Sequence, residues 1–512
     1  MYARILVAMA LCGALLASAQ NTNAPPNARL LSLRECFDLA LSRNLDLQIQ
    51  HLSGDIARDS LTAAYGTYVP NLSFAAGHEH DEQPGDFDWK KENPYLPYEL
   101  NQDTAGPALS GRLPFGLSYG FHAEAGENKV RTDFNSNTNI APDFYNGIRQ
   151  TNNYFANAGV VARQHLLKDF WIDQDRVTLL VRRRDLKISQ QALRFQIMRT
   201  VLATELDYYD LTAAREKIRV AEKAVELKRQ FLAETRRRVE VGDLPPLDAG
   251  QAESQLQTAL TALTAARDEF LDLQNALKSL LTDNFKEWAD IDLQPADALS
   301  ASQTEVNRSE SFQSALRNRP DLVEARLAVE KSDVVVKFRL NQLFPSLDFI
   351  GKYGGLGVEP TASGAMSDTV NFRNHTYFYG MVVTFPLSNV GERGDYRASK
   401  AAKQIAELQL KKAEQAILVE VADWVHRVQS RFSQVGSTRQ ARAYAESALA
   451  AEQKKLQNGL TTAFVVLQMQ EALTAARTAE VQALSDYNKA LAQLAFAEGS
   501  ILEKHHLTLE VK

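Results

Sequence analysis

Few stretches of this 512-residue chain combine residue types at spacings that could do chemistry. His78-Glu79-His80-Asp81-Glu82 brings metal-capable side chains together, with His78 and His80 on one face if the run is a strand. A metal site usually adds a ligand from a distant part of the chain, so the alternative is a polar edge between strand and loop. His505-His506 sits in a polar C-terminal stretch with no companion ligand nearby in sequence. Gly351-Lys352-Tyr353-Gly354-Gly355-Leu356-Gly357 is rich in glycine but lacks the spacing of a phosphate loop, and no helix follows it. It reads as a strand end and outer loop. Arg182-Arg183-Arg184 lies early on a long helix and reads as a solvated face, with a lipid-headgroup or peptidoglycan contact as the alternative. Tyr208-Tyr209 and Trp424, at helical positions, read as packing. There is no nucleophile–base pair, no carboxylate dyad and no zinc spacing. The chain does not read as an enzyme and calls for no cofactor and no metal.

Composition bounds the remaining classes. With 23% charged residues and a net charge of −6, there is no electrostatic case for a nucleic-acid partner. Arg4, the apolar run Ile5 to Leu16 and the small residues Ala17-Ser18-Ala19 read as a signal peptide over 1–19. Leu11 is large for a lipoprotein cleavage site, which argues against lipidation of Cys12. Cleavage leaves Cys36 as the single cysteine, so no internal disulfide forms. No later stretch has the 18 or so apolar residues of a membrane helix. The mature chain is expected to be exported and either soluble or a β-barrel spanner.

The positioning elements are long helices. From Arg176 to Val241 there is no proline or glycine, and Leu211, Ile218, Val225, Leu232 and Val239 recur at a heptad interval. That repeat keeps one apolar stripe facing a partner and supercoils helices about each other. A helix of this extent is roughly 100 Å long, too long for a globular core. Gly242-Asp243-Leu244-Pro245-Pro246 stops it and starts another. The returning helix carries Leu256, Leu260, Leu263, Phe270, Leu277 and Leu281 on its stripe.

The plan occurs twice. One constant offset aligns Phe37, Ala40, Leu41, Asp46 and Leu47 with Phe312, Ala315, Leu316, Asp321 and Leu322, and Pro70, Leu72 and Phe74 with Pro345, Leu347 and Phe349. A second aligns Gly242, Gln251, Leu256 and Ala259 with Gly459, Gln468, Leu473 and Ala476. Ordered self-similarity of this kind marks an internal duplication. The first repeat, 20–282, is read as a short opening helix, a second helix, strands over about 70–164, a long helix over about 165–241 and a return helix over 247–281. An equatorial segment, 283–310, joins the copies. The second repeat, 311–498, is read as a helix over 321–344, strands over about 346–386, a long helix over about 393–458 and a return helix over 461–497, before a polar tail over 499–512. In each copy the opening and returning helices, stacked end to end, nearly match the single long helix. This predicts a cylinder wall rather than a compact bundle.

The strand regions alternate. Leu72, Phe74 and Ala76 face away from Asn71, Ser73, Ala75 and Gly77; Leu117, Tyr119, Phe121 and Ala123 face away from Ser118, Gly120, His122 and Glu124. Tyr377, Tyr379, Met381, Val383 and Phe385 share one face. One aromatic, apolar face opposite a small or polar one suits a strand between lipid and a watery lumen. A soluble β-domain with one buried face is the alternative.

With these residues in place, the chain resembles the TolC-type outer-membrane efflux protein family over essentially its whole mature length. The resemblance is carried by Ala315-Leu316-Arg317-Asn318-Arg319-Pro320-Asp321-Leu322 and Phe344-Pro345-Ser346-Leu347, and by the hairpin turns Val239-Glu240-Val241-Gly242, with Asp248, and Leu456-Gln457-Asn458-Gly459. It implies a mainly α fold with a membrane β-barrel portion: a homotrimer whose 12-stranded barrel continues into a long α-helical coiled-coil tunnel across the periplasm. It also implies a periplasmic adaptor protein, an inner-membrane pump of the RND or ABC type, and contact with outer-membrane lipid. Four strands from one chain cannot close a barrel by themselves, and open edges are not tolerated in lipid, which independently calls for several copies.

Two departures stand out. Glu79 to Asn153 is far longer than its counterpart in the second repeat, and Ala108–Leu113, Pro114-Phe115-Gly116 and Leu117–Ala125 read as an added hairpin near 108–125. An extracellular elaboration is preferred, with extra barrel strands as the alternative. The family often carries acidic residues six and nine positions after each hairpin glycine; here those places hold Asp248 and Gln251, then Val465 and Gln468. The expectation is a weakly acidic iris of these four residues, without a double acidic gate. Adaptor contacts are expected at Gly242, Asp243 and Leu244 and at Gly459, Leu460 and Thr461. The function expected is a passive conduit in efflux or type I secretion. The competing class is an exported trimeric coiled-coil adhesin or scaffold, which would put one continuous stalk before a C-terminal β-anchor. Drugs, metals, siderophores and secreted proteins all stay open as cargo.

Overall fold

A computed structural model describes residues 28–84, 98–133, 148–242 and 244–507. The signal peptide expected over 1–19 and the last residues of the tail lie outside these. Among the described residues two compact units emerge, each made of discontinuous pieces of chain, and the boundary between them falls within both long helices.

Among the described residues, the first unit holds 28–48, 196–315 and 420–507. It opens with β1 (Ala28–Leu31) and α1 (Leu33–Arg43), where Ser32 and Glu35 cap the helix start reciprocally. The long helix α3 (Gln174–Glu240) enters this unit and is followed by the return helix α4 (Pro246–Leu281), α5 (Phe285–Trp288), β6 (Asp292–Pro295) and α6 (Arg308–Asn318). The second long helix, α9 (Val390–Gln457), enters it likewise and is followed by α10 (Ala463–Ala497) and α11 (Ile501–Lys504). The heptad stripe does what its period requires. Leu211 packs with Cys36, Ala40, Tyr208, Phe270, Leu277 and Leu281, and Val225 and Leu232 pack with Ala252, Leu256, Ala259 and Leu263. Phe231 lies against this second cluster and also against Leu449, Val466 and Leu473, so one side chain joins the two hairpins.

The segment between the repeats is ordered. β6 pairs in parallel with β1, and Trp288 and Leu293 enter the core. The Tyr208 hydroxyl donates to Asp297 at 2.8 Å and lies 3.1 Å from the Leu31 carbonyl. The expected polar tail is corrected at its start: Ile501 and Leu502 are buried, and the His505 ring packs on Phe37 with its Nε2 3.0 Å from Glu205. These residues turn inward because Gly499, at φ 75°, ends α10 and redirects the chain.

The second unit holds residues 49–195 and 316–419. It contains most of α2 (Leu45–Tyr65), α7 (Pro320–Asn341) and the first turns of both long helices. Val177 of α3 packs with Val334 and Phe338 of α7. The long helix begins at Gln174, not near 165 as expected, because β5 (Ile148–His165) runs to its end and a tight turn follows. Asp169 takes φ 63° in that turn, and Asp173 caps α3 by accepting from the Arg176 amide at 2.7 Å.

The rest of this unit is one antiparallel sheet of β2 (Asn71–Gln83), β3 (Tyr98–Arg112), β4 (Leu117–Asp133), β5, β7 (Ser346–Glu359) and β8 (His375–Thr384), in that spatial order. Six strands stand where four per chain were expected. The stretch expected as an added hairpin is part of the sheet: β3 and β4 pair along nearly their whole lengths between β2 and β5. A short helix, α8 (Ala362–Val370), folds back from the β7–β8 connection, and Ala365 is fully buried there. It fits because Gly355 and Gly357 leave no side chain beneath it; a Cβ on Gly357 would meet the Ala365 carbonyl at 2.0 Å.

Candidate functional site

The sheet register sorts the strand residues into two faces. Leu72, Leu109, Phe121, Val160, Tyr353 and Tyr377 are successive partners across all six strands and share one face. The row beside it contains Tyr119, Ala162, Gly351 and Tyr379, and the next Leu117, Phe349 and Met381. Large apolar side chains on this face remain open to the surroundings: Leu72 is 71% exposed, Tyr379 73% and Met381 65%. In water such a surface would be a liability; in lipid it is the natural outside of a barrel.

The opposite face carries Ser73, Arg112, Ser118, Arg163, Lys352 and Asp348. Asp348 is enclosed and bridged by Arg163 at 2.7 Å and His165 at 2.6 Å, so a charge on the wall is compensated rather than isolated. His78, at the far end of the sheet, pairs with Asp103 at 2.8 Å, and His80 with Asn101 at 2.7 Å. Cross-strand neighbours thus occupy both histidines. Among the described residues no cluster of three or more His, Cys, Asp or Glu side chains forms.

The hairpin turns are the second feature. Gly242 and Gly459 adopt φ 82° and 70°, the left-handed region that glycine enters without a Cβ penalty. At the second turn the Gly459 amide donates to the Leu456 carbonyl at 3.1 Å and Leu460 to Lys455 at 2.9 Å, closing the helix end. Around the expected docking positions, Leu460 is 76% exposed and Leu244 and Thr461 are half-buried, while Asp243 lies outside the described residues. Of the expected constriction residues, Asp248 and Gln251 are three apart on α4, and Val465 and Gln468 three apart on α10. Each pair therefore shares a helix face. Gln251 and Gln468 are exposed and Asp248 and Val465 half-buried, whereas Ala252, Val466 and Leu467 next to them are buried. Higher up, Lys228 ties the two hairpins, donating to Gln255 at 2.8 Å and lying 3.6 Å from Glu471.

A charged cavity between the inner helices escaped the sequence reading. Asp207, Asp210, Trp424, Arg427, Arg431, Asp486 and Lys489 line a space of about 370 Å³. Lys489 bonds Asp210 at 2.6 Å, and Arg431 lies 3.3 Å from Asp486. Burial, and then the neighbouring Asp210 charge, push the Asp207 carboxyl up to about 6 against the opposing pull of Lys489. These residues lie on three separate helices far apart in sequence, and no local spacing signals them. Cys36, buried in the apolar cluster with Tyr208 and Leu211, has its thiol pushed up to about 12 by burial and is not a nucleophile at neutral pH.

Known proteins share this fold. Residues 312–500 match the family model described as outer membrane efflux protein. The outer membrane efflux protein BepC of Brucella suis is 24% identical over 309 residues, an alignment that spans 58% of this chain and 62% of BepC. Among solved structures, the CmeC outer membrane channel of Campylobacter jejuni superposes with a TM-score of 0.64 at 14% identity, over 92% of this chain and 86% of CmeC. The outer membrane protein VceC of Vibrio cholerae gives 0.65 at 17%, over 91% and 96%. The fold is therefore that of the TolC-like outer membrane channels. The second repeat is thus similar in sequence to the outer membrane efflux proteins, and the whole chain shares the fold of their solved channels.

Proposed function

We propose that this protein is the outer-membrane channel of a tripartite efflux or type I secretion system. Three copies form a passive conduit from the periplasm to the exterior. The observation that carries this reading is the six-stranded row from Leu72 to Tyr377, a lipid-type face on a sheet whose other face carries Arg112, Arg163, Asp348 and Lys352, in a chain that also builds two long helical hairpins. Energy is supplied by an inner-membrane RND- or ABC-type pump, and a periplasmic adaptor joins the two. The turns at Gly242, Asp243 and Leu244 and at Gly459, Leu460 and Thr461 are the docking tips, since a tip side chain such as Leu460, 76% exposed, has no internal packing role. Asp248, Gln251, Val465 and Gln468 form the constriction. A ring of three Asp248 carboxylates favours cations by simple electrostatics.

The test is a planar-bilayer recording of the purified protein. The reading requires discrete channels with a cation preference that falls when Asp248 is changed to Asn. Channels whose selectivity is untouched by D248N remove the iris from the proposal, and absence of any channel activity from correctly assembled protein removes the conduit.

A further inference from the structure

The sheet ends on two open edges. All of β2 except Asp81 and all of β8 except Gly380 are exposed in the single chain. Within the sheet every neighbour is antiparallel, and β2 runs away from α2 while β8 runs back toward α9. Unpaired backbone groups on an edge are not tolerated in hydrocarbon. Closing β2 on β8 within one chain would give six strands, fewer than the roughly eight that leave room for interior side chains. The edges therefore fit those of further copies. Because the chain enters the sheet going one way and leaves it going the other, β8 of one copy meets β2 of the next antiparallel, as an unbroken ladder requires. The contact is head-to-tail and closes as a ring.

The inserted strands belong to that wall. Leu109 and Phe121 fill the two places in the apolar row between Leu72 and Val160, so the lipid-type face runs through β3 and β4 without a gap. Their connecting turn is anchored at the helix end of the sheet. Gly116 takes φ 87°, Leu113 donates to the Leu117 carbonyl at 2.8 Å, and Arg112 bridges Asp175 in the first turn of α3 at 2.7 Å. A hairpin standing outside the membrane needs neither an apolar row in register with its neighbours nor an anchor at this end.

We propose that β3 and β4 are wall strands, so that three copies close one barrel of eighteen strands, six from each. This rests on the homotrimer in the function proposed above. With strands about 4.8 Å apart and tilted about 40°, eighteen strands give a backbone cylinder about 36 Å across, where twelve give about 24 Å. The lumen at the outer face is then roughly twice as large in cross-section, and only four of the six strands in each copy connect to helices below.

The test is electron cryomicroscopy of the intact protein in lipid nanodiscs, counting strands in a section through the membrane. Three copies with eighteen wall strands are expected. Three copies with twelve wall strands, and β3–β4 outside the ring, overturn the inference and leave the conduit standing. A two-copy ring of twelve overturns both the inference and the homotrimer.

Discussion

Gly459 and Gly436 make a matched pair. At both, an added Cβ finds no heavy atom within 4 Å, so packing plays no part in the comparison. Gly436 lies inside α9 with ordinary helical geometry, while Gly459 turns the chain at φ 70°. Gly459→Ala places a Cβ in the left-handed region, a cost of about 1–2 kcal/mol. Gly436→Ala removes backbone freedom from the unfolded helix and gains about 0.5–1 kcal/mol. The readout is native-state hydrogen exchange at the turn amides of residue 459 and Leu460, which donate to Leu456 and Lys455. Local opening should become roughly 5- to 30-fold easier in G459A. Helical amides near residue 436 should exchange about 2- to 5-fold more slowly in G436A. Equal effects of the same sign would refute the argument that the turn, rather than its surroundings, demands glycine.

Three further outcomes follow from named contacts. Leu109→Arg puts a charge on the lipid-type face at a cost of about 2–4 kcal/mol per copy near mid-membrane, so assembled protein in the outer membrane should fall sharply, whereas Ser110→Arg on the polar face should assemble; membrane fractionation compares them. Leu460→Glu, at a position 76% exposed, should weaken adaptor binding while leaving the oligomer intact, and unchanged adaptor capture would remove that tip from the docking surface. Burial raises the Asp207 carboxyl from its ordinary 3.8 to about 6 in the folded state, so folding is favoured at low pH and penalised as pH rises from about 4 through 6. The group is partly solvated, which reduces the effect to about 1–2 kcal/mol. Asp207→Asn should therefore stabilise the protein at pH 7.5 and have little effect at pH 4, read by thermal unfolding at both.

The helices were legible because their signal is local and periodic. The stripe from Leu211 to Val239 is visible in any window, and Gly242 and Gly459 punctuate it. The return helices needed only Pro246 and a restart of the stripe. The strands were legible as alternation, and Leu72, Phe121 and Tyr377 fell on the apolar side as expected. What alternation cannot convey is pairing. Leu109 and Phe121 would look the same in an extracellular hairpin, and only their register with Leu72 and Val160 puts them in the wall. Pro107 sits inside β3, where proline is unusual. The ladder to β4 is interrupted at Gly106 and Pro107 and resumes on both sides. Ile501 and Leu502 were hidden in a polar tail by their short run, and the cavity around Asp207 joins residues that only the tertiary fold brings together.

In the assembly proposed here, several copies of this chain share one closed wall. The molar mass of the detergent-extracted protein, from light scattering corrected for bound detergent, tests it most directly. A stable species of three chains is predicted; a stable monomer would contradict it, because one chain's six strands leave both edges open.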